Sequence, residues 1–317
     1  MKIKFYGTRG SIPVSNSKTI KYGGNTTCLR VFSESLPDNV ILSIDAGSGF
    51  VPMSWDALGE NLKQPEFMIF FTHYHYDHTQ GLFLAPPIFM KNINMTLCGP
   101  VDQGVGPKKM LHDLMRPPYF PVHHREVESH LNYVNFDFPK TMVVIFHKSG
   151  GYKFTTIEHY EKLYNKDQMI ALGKGKYPLS ECLVVTMHKS RHPEQTVSYR
   201  FEEKSTGKVF VFLTDHENED GIPLSFRKHL ENADVLVMDS QYSRKKYDEF
   251  TAGYGHGTPD YCVKVANSVS VKKLGLTHHD PASSDQDIDN ILREAQKSNK
   301  SSKLDIFICY DFLELDI

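Results

Sequence analysis

Five short apolar segments of this sequence are each followed by an aspartate or a histidine. These residues are Asp45 after VILSI, His73 after FMIFFT, Asp215 after KVFVFLT, Asp239 after DVLVM and His278 after KKLGLT. Runs of this length, rich in β-branched and aromatic residues, predict buried strands. Loops at one end of a sheet occupy one region of space, so side chains far apart in sequence can converge there. The sequence therefore predicts a sheet-based fold with a functional site at the strand ends.

Further strand-like segments alternate with a few helical patterns. Strands are also predicted in KIKFYG, TTCLRVF, TMVVIFH, CLVVTMH, TVSYRFE and LDIFICY, and helices near 222–231, 258–269 and 283–296. The second helical pattern opens with Thr258 as N-cap and Pro259 at the first helical position. Two strand-rich halves that carry helices favour a layered α/β fold. We predict a single domain over residues 1–317, with an insertion or cap around 101–180, where periodicity is weaker and charge is higher.

The composition is that of a protein with a large buried core. Of 317 residues, 40% are hydrophobic, and 36 lysines and arginines nearly balance 38 aspartates and glutamates. A formal charge of -2 implies no wholesale attraction to nucleic acid or to a membrane surface. No apolar run approaches the roughly 18 residues of a membrane span, and no apolar signal region follows MKIKFYGTRG. We therefore expect a soluble, cytoplasmic protein with no membrane partner.

The cysteines of the chain do not form a recognisable framework. They are odd in number, far apart in sequence and never arranged as C-x-x-C: Cys28, Cys98, Cys182, Cys262 and Cys309. This distribution fits neither a disulfide scaffold nor a thiolate zinc site. Buried thiols in a reducing compartment are the prediction.

The segment FTHYHYDHTQGL contains three histidines and an aspartate within six positions, directly after a predicted strand. Imidazole nitrogens and carboxylate oxygens are ligand types that zinc, manganese or iron accept. Side chains at adjacent and alternate positions cannot all point at one ion, but a tight loop can divide them between two. Two ions about 3.5–4 Å apart are the usual arrangement for hydrolysing a phosphoester. The motif therefore predicts a dinuclear metal site.

This H-x-H-x-D-H motif resembles that of the metallo-β-lactamase superfamily, and later segments support the resemblance in order. IDAGSG is similar to the early Asp-x-Gly turn of the superfamily, SRHPEQTVSYRFEEKSTGKVFVFLTDHE to its later histidine and bridging aspartate, and LGLTHHDPASSD to its final histidine. The resemblance implies an αββα sandwich with two metal ions at one edge, between the sheets. It also implies the ligands: His73, His75 and His192 for the first ion, Asp77, His78 and His278 for the second, and Asp215 as a bridge.

Two of these assignments have a neighbouring alternative. His188 lies shortly before His192, but HP followed by TVSYR matches the family pattern and favours His192. His279 directly follows His278, and the strand-terminal position favours His278. Asp45 is expected to accept a hydrogen bond from a ligand imidazole and to fix its tautomer, although it also fits a plain turn aspartate before AGSG.

Two further segments resemble phosphodiesterases within the superfamily. GTRGSIPVSNSKTIKYGGNTTCLRV is similar to the N-terminal segment of long-form ribonuclease Z and of bacterial and phage cyclic-nucleotide phosphodiesterases, including anti-Pycsar proteins. GYGHGTPDYCVKVA is similar to their G-H-S-T segment, with Gly257 in place of the serine. His256 is retained, as a proton donor to the leaving oxygen or as a phosphate contact. A helix-flanking histidine without chemistry is the alternative.

The resemblance implies a dinuclear metal-dependent hydrolase with two divalent ions, zinc or alternatively manganese. Such ions lower the pKa of a bridging water so that hydroxide is available near neutral pH. Asp77 is expected to orient that hydroxide, and His256 to protonate the leaving 3'-oxygen as a general acid. The resemblance also implies a homodimer.

The predicted substrate is a small phosphodiester, a 3',5'-cyclic nucleotide that is hydrolysed to the nucleoside monophosphate. A ribonuclease Z-like endonuclease that processes tRNA 3' ends is the alternative. Such enzymes usually hold tRNA with a basic, glycine-rich arm, to which GVGPKK and GKGKY are only weakly similar. Tyr119 and Phe120 could stack on a base or belong to a proline-rich core loop. A binder without activity is disfavoured, because all seven ligand positions are retained.

Overall fold

Two large β-sheets form the framework of the protein, described by a computed structural model over residues 1–127, 130–138, 142–166, 168–218 and 221–317. The first sheet has seven strands: β1 (Lys2–Gly7), β2 (Cys28–Phe32), β3 (Val40–Ile44), β4 (Glu66–Phe70), β5 (Asn94–Pro100), β6 (Leu131–Phe136) and β17 (Glu314–Asp316). Their spatial order is β17-β1-β2-β3-β4-β5-β6. Strands β3 to β6 are parallel, and the pairs from β17 to β3 are antiparallel.

The second sheet repeats this mixture of parallel and antiparallel pairs. It has eight strands: β7 (Met142–His147), β8 (Gly151–Thr156), β11 (Leu183–Lys189), β12 (Val197–Glu203), β13 (Lys208–Leu213), β14 (Val235–Asp239), β15 (Lys273–Thr277) and β16 (Asp305–Ile308). Their order is β16-β15-β14-β13-β12-β11-β7-β8, with parallel pairing from β13 to β16. Strands β9 (Met169–Leu172) and β10 (Gly175–Pro178) form a separate hairpin.

The core between the sheets is built from alternate residues of facing strands. Leu42 and Ile44 of β3 and Phe210 and Phe212 of β13 belong to this cluster and are fully buried. Successive side chains of a strand point to opposite faces, so Val211 packs on the outer side of its sheet. The central strands are therefore apolar on both faces, which explains why their sequences are continuous apolar runs.

Helices cover the outer faces of both sheets. The helices are α1 (Phe50–Gly59), α2 (Tyr76–Thr79), α3 (Pro107–Leu114), α4 (Ile157–Lys166), α5 (Leu224–Leu230), α6 (Arg244–Lys246), α7 (Pro259–Ser268) and α8 (Asp285–Ser298). Short 3-10 turns occur at Pro86–Phe89, His124–Glu126 and Leu179–Glu181, and a π-helical turn at Tyr247–Thr251. Helices α1 and α3 pack on the first sheet, and α5, α7 and α8 pack on the second. This is the αββα sandwich that the sequence predicts.

The three predicted helices correspond to α5, α7 and α8 and are confirmed. Helix α7 begins at Pro259 after Thr258, as predicted, but the Thr258 side chain does not cap the helix. Its hydroxyl oxygen instead accepts a hydrogen bond from Arg244 Nη2 at 2.9 Å. Thr258 is therefore the N-cap residue, as predicted. Its side chain, however, hydrogen-bonds to Arg244 instead of to the backbone of α7.

Most of the 101–180 region contributes to the two sheets or to their outer faces. Strand β6 extends the first sheet, whereas β7 and β8 form one edge of the second. Helix α4 and the β9–β10 hairpin pack through Tyr160, Ile170 and Leu172 on Val143 and Val184 of the second sheet. Residues 128–129, 139–141 and 167 lie outside the described parts, including the first residue of the predicted strand TMVVIFH.

The cysteines agree with a further expectation. All five cysteines are unpaired and buried. Burial raises the pKa of the Cys28 and Cys98 thiols well above the ordinary value, so both remain protonated thiols. In the described ranges, no helix combines the length and the apolar character needed to cross a membrane.

The turn after β3 approaches the loop after β4 very closely. A Cβ atom at Gly47 would lie 2.2 Å from the backbone oxygen of Asp77 and 2.5 Å from Thr26 Oγ1. Both distances are far below van der Waals contact, and the first involves the backbone that carries a predicted metal ligand. Only glycine therefore allows the two loops to pack at this distance.

Replacement of Gly47 by alanine is expected to lower the free energy of unfolding by about 2–3 kcal/mol, because the added methyl group displaces the Asp77 backbone. Gly59→Ala is the matched control, since no atom lies within 4 Å of a Cβ built there. At the end of α1 this change is expected to be neutral or stabilising by up to about 1 kcal/mol. Denaturant unfolding of both variants measures the difference, and equal stabilities would contradict the close approach.

Candidate metal centre

The five residues that follow the apolar segments converge where the two sheets meet, as the sequence predicts. All five are buried: Asp45, His73, Asp215, Asp239 and His278. Three of them have a positive φ, namely 57° at Asp45, 48° at Asp215 and 61° at His278. This left-handed conformation costs roughly 1–2 kcal/mol for a residue with a Cβ. The chain thus turns sharply at these strand ends, and each turn carries a polar side chain of the site.

The first donor group consists of His73, His75, His192 and Asp215, whose candidate ligand atoms all lie within 4.8 Å of one another. His73 Nε2 lies 3.6 Å from Asp215 Oδ2. The Nε2 atoms of His73 and His192 are buried and have no hydrogen-bond partner in the described parts of the chain. Because an unsatisfied buried nitrogen is costly, a cation that accepts both lone pairs fits this group.

The second donor group consists of Asp77, His78 and His278. His278 Nε2 lies 3.2 Å from Asp77 Oδ2 and 3.3 Å from His78 Nε2. His78 Nε2 lies 3.4 Å from Asp77 Oδ2. Three donor atoms with separations of 3.2–3.4 Å match the ligand spacing around one ion with bonds of about 2.1 Å.

Asp215 lies between the two groups. Its Oδ2 faces His73 of the first group, while its Oδ1 lies 3.3 Å from both His78 Nε2 and His278 Nε2 of the second. Thr214 Oγ1 donates a hydrogen bond to Oδ1 at 2.7 Å and restrains the carboxylate. Each oxygen can therefore serve a different ion, which is the arrangement expected of a bridging ligand.

Hydrogen bonds on the far side of the ligand rings set their orientation. His78 Nδ1 lies 2.8 Å from Asp45 Oδ2, and His192 Nδ1 lies 3.0 Å from the carbonyl oxygen of Gly255. Each Nδ1 carries the proton of this hydrogen bond, which directs Nε2 of the same ring toward the donor group. The predicted hydrogen bond of Asp45 is therefore present, and its partner is the imidazole of His78. The backbone N–H of Ser11 similarly donates to Asp77 Oδ2 at 2.6 Å.

Buried charge makes this region favourable for cations. Burial opposes charge on His78, but the surrounding carboxylates raise the pKa of its imidazole well above the ordinary value: Asp77, Asp215 and Asp45. Burial, assisted by the neighbouring His78, lowers the pKa of His73 well below the ordinary value, so that ring is neutral. Neutral imidazole is the metal-binding form, and the carboxylates supply the negative potential that attracts an ion.

The histidines considered as alternatives lie outside both donor groups. His188 Nδ1 lies 2.9 Å from the carbonyl oxygen of Lys189, and its ring packs against Phe226 with centroids 4.8 Å apart. His279 Nε2 donates to the carbonyl oxygen of Cys309 at 2.8 Å, and burial lowers its pKa to about 3. The backbone turn at His278 explains the difference, since successive side chains point in different directions.

His256 lies beside the second donor group. Its ring stacks on His278 with centroids 4.9 Å apart, and its Nδ1 lies 2.8 Å from Asp239 Oδ2. This Asp239–His256 pair joins the end of β14 to the segment before α7. Both residues stand out in the sequence, but their pairing does not, because it depends on the packing of α7 against β14.

Glu194 has a position that sequence reasoning missed. Its Oε2 lies 3.2 Å from His75 Nε2 and 3.4 Å from His192 Nε2, at the open side of the first donor group. The signal available in the sequence is that this carboxylate follows His192 by only two positions.

A cavity of about 500 Å³ opens over the two donor groups. Its lining comprises Ser11, Tyr74, His75, Tyr76, Asp77, Leu114, Asp215, His256 and His278. The aromatic residues at this cavity are therefore Tyr74 and Tyr76. Tyr119 and Phe120 are not among the lining residues: Tyr119 is 79% exposed, and Phe120 packs against Phe83.

This fold and its two groups of histidine and aspartate donors are typical of the metallo-β-lactamase class of hydrolases. A family model described as the beta-lactamase superfamily domain matches residues 42–279 of the chain. Among solved structures, the metallo-beta-lactamase fold protein YhfI from Bacillus subtilis aligns over 99% of both chains, with a TM-score of 0.62 at 16% identity. Unliganded yeast PDE1 aligns over 98% of this chain and 99% of its own, with a TM-score of 0.63 at 14% identity.

A curated relative extends the similarity along the sequence. Ribonuclease Z of Oceanobacillus iheyensis is 27% identical over 318 aligned positions, which cover 94% of this chain and 95% of the relative. The family match includes both donor groups and spans most of the chain. The chain therefore belongs to the beta-lactamase superfamily and is a metal-dependent hydrolase.

Replacement of Asp215 by alanine is expected to abolish hydrolysis and to reduce bound metal below two ions per chain, because the shared carboxylate and its charge are lost together. His188→Ala is the control, since His188 lies outside both donor groups. It is expected to keep the wild-type metal content. Elemental analysis of dialysed protein measures both, and full metal loading with full activity in Asp215→Ala would overturn the assignment.

Proposed function

We propose that this enzyme is a phosphodiesterase that hydrolyses a 3',5'-cyclic nucleotide to the nucleoside monophosphate. The observation that carries the proposal is the junction of two donor groups through Asp215 at a cavity that His256 also lines. Two adjoining cation positions suit in-line displacement at phosphorus, because both the attacking and the leaving oxygen carry developing negative charge. The cavity volume of about 500 Å³ lies within the range of about 300–1,000 Å³ for small-molecule sites.

Seven side chains are proposed to hold the two ions: His73, His75, His192, Asp215, Asp77, His78 and His278. When bound, such ions lower the pKa of a water molecule toward neutrality and neutralise the phosphate oxygens. The chain itself positions the reactants. Asp77 lies at the cavity, where its carboxylate can accept a hydrogen bond from the attacking water and orient it.

His256 is proposed to supply the proton for the leaving 3'-oxygen. Its Nδ1 is engaged by Asp239, which fixes the ring and leaves Nε2 to act on the substrate. General acid catalysis of this kind contributes typically about 10²–10⁴-fold. In a cyclic nucleotide, the leaving oxygen stays attached to the product, so a single proton transfer completes the reaction.

The placement of the GKGKY segment supports a small substrate. It lies in the β9–β10 hairpin, where Tyr177 stacks on His147 at the end of β7. Phe146 pairs with Leu183 at the start of β11, whereas His192 follows the opposite end of β11. The hairpin and the donor groups are therefore separated by the length of that strand, roughly 20 Å. This segment is poorly placed to guide RNA into the cavity of the same chain.

A ribonuclease Z-like endonuclease for tRNA 3' ends is the second candidate. The near full-length similarity to a ribonuclease Z favours it. So does the GVGPKK segment, which leads into α3, because Leu114 at the end of that helix lines the cavity.

A substrate panel tests the proposal directly. The metal-loaded enzyme is assayed with cyclic nucleotides, linear dinucleotides and precursor tRNA at matched concentrations. Fastest turnover of a 3',5'-cyclic nucleotide, with the monophosphate as product, is the expected result. Cleavage of precursor tRNA without turnover of cyclic nucleotides would replace the proposal by the second candidate.

The proposal also covers the identity of the two ions and the oligomeric state of the protein. Three imidazoles in the first donor group favour zinc, while Asp77 of the second group and the shared Asp215 also suit manganese. We expect a homodimer, in line with the family resemblance. Metal analysis of the purified protein and light scattering on a sizing column measure the two properties.

Replacement of His256 by alanine is expected to lower kcat by about 10²–10⁴-fold with little change in KM, because a general acid acts in the transition state. Metal content is expected to stay intact. The defect should shrink with bis-p-nitrophenyl phosphate, whose phenolate leaving group needs little protonation. A rise in KM alone would identify His256 as a binding residue instead, and equal losses on both substrates would exclude its role as a proton donor.

A further inference from the structure

Glu194 lies at the open side of the first donor group, and no part of the proposed mechanism uses it. We propose that this glutamate is a displaceable carboxylate ligand of the first ion. The proposal rests on the metal site described above, and it adds an eighth ligand, one that a substrate phosphate must displace. Its basis is the position of Oε2, the anchoring of its loop and the absence of a competing basic partner in the described parts of the chain.

The position of the carboxylate matches that of a ligand. For ligand bonds of about 2.0–2.1 Å, neighbouring donor atoms lie roughly 3–3.5 Å apart in four- and five-coordinate sites. Glu194 Oε2 lies 3.2 Å from His75 Nε2 and 3.4 Å from His192 Nε2. Within the first donor group itself, His73 Nε2 and Asp215 Oδ2 lie 3.6 Å apart. The Glu194 carboxylate therefore has separations from the His75 and His192 imidazoles that suit a common ion.

The loop that carries Glu194 is held at both ends. The Ser190 N–H donates to the carbonyl oxygen of Thr196 at 2.8 Å. Next to Glu194, the Gln195 backbone N–H donates to Asp102 Oδ2 at 3.3 Å, and its side-chain amide donates to the carbonyl oxygen of Val101 at 3.0 Å. The backbone beside Glu194 is thus anchored to the segment that follows β5 of the first sheet. These hydrogen bonds hold the Glu194 carboxylate near the donor group.

The surroundings of Glu194 favour binding to an ion over a surface salt bridge. Within the described residues, the ion pairs of this side chain are with His75 and His192, and none is with a lysine or an arginine. The His192 side chain is 1% exposed and its Nε2 has no hydrogen-bond partner among the described residues, whereas the Glu194 side chain is 44% exposed. The His192 imidazole is thus a buried donor that faces the proposed ion. The Glu194 side chain is partly exposed and has space to move away from that ion.

A ligand of this kind has two opposite effects. The added negative charge and oxygen donor strengthen binding of a divalent cation to a group of three imidazoles. The same oxygen occupies a coordination position that a phosphate oxygen needs, so phosphate and Glu194 compete. Loss of the carboxylate is therefore expected to weaken metal binding and to strengthen phosphate binding, a combination that a merely structural residue would not produce.

Cobalt titration of the metal-free protein tests the assignment. Glu194→Gln keeps the shape and removes the charge, and Glu194→Asp keeps the charge on a shorter stem. Glu231→Gln is the control, because Glu231 is exposed and lies outside the donor groups. We expect Glu194→Gln to bind the first Co²⁺ about 10–100-fold more weakly and to change its visible absorption bands. The aspartate variant should fall between it and the wild type, and the control should match the wild type.

A second measurement uses inorganic phosphate as the probe. Phosphate is titrated into the Co²⁺-loaded proteins and followed by the same absorption bands, with an expected affinity several-fold higher for Glu194→Gln than for the wild type. Unchanged cobalt and phosphate affinities in that variant, with metal loading and hydrolysis intact in the wild type, would overturn the Glu194 assignment alone. A wild-type protein that binds no Co²⁺ would instead overturn the proposed metal site and function.

Discussion

The shared carboxylate of Asp215 is the interaction on which the site depends. It follows a strand of the second sheet, and its two oxygens face His73 and His78 of the first sheet and His278 of the second. An ionised carboxylate that is 1% exposed is stable only when positive charge or several donors compensate it. Burial acts against ionisation, but the nearby imidazoles hold its pKa well below the usual range. The relative position of the two sheets is therefore coupled to the charge around one side chain.

Backbone strain accompanies this electrostatic constraint. The left-handed turns at Asp45, Asp215 and His278 each cost roughly 1–2 kcal/mol, and they occur at residues with polar side chains in the site. Such conformations persist only when the surrounding structure over-determines them. Here the buried strand before each turn restrains the backbone. At Asp45, hydrogen bonds donated by the Thr72 backbone N–H and hydroxyl add to this restraint. The apolar core thus maintains a geometry that the isolated segments would not adopt.

Much of the site could be predicted because its residues directly follow apolar strands, where sequence periodicity is strongest. The same rule separates His278 from His279, since only the first belongs to the turn at the strand end. Contacts between distant elements could not be predicted. The pairing of Asp239 with His256 requires α7 to pack beside β14, and the position of Glu194 depends on the hydrogen bonds of its loop to the segment after β5. Helix α1 was also missed, because its segment contains a proline and no capping side chain.

Both sheets combine a run of parallel pairs with a run of antiparallel pairs, and each provides only part of the donor set. Four ligand candidates lie in one loop after β4, and the other three follow or precede strands of the second sheet. Neither half can offer a complete coordination sphere before the halves dock. On the proposed ligand assignment, an ion completes its coordination only after the halves dock, so it is expected to stabilise the docked assembly rather than either half alone. Metal loss and separation of the halves are then expected to be kinetically linked.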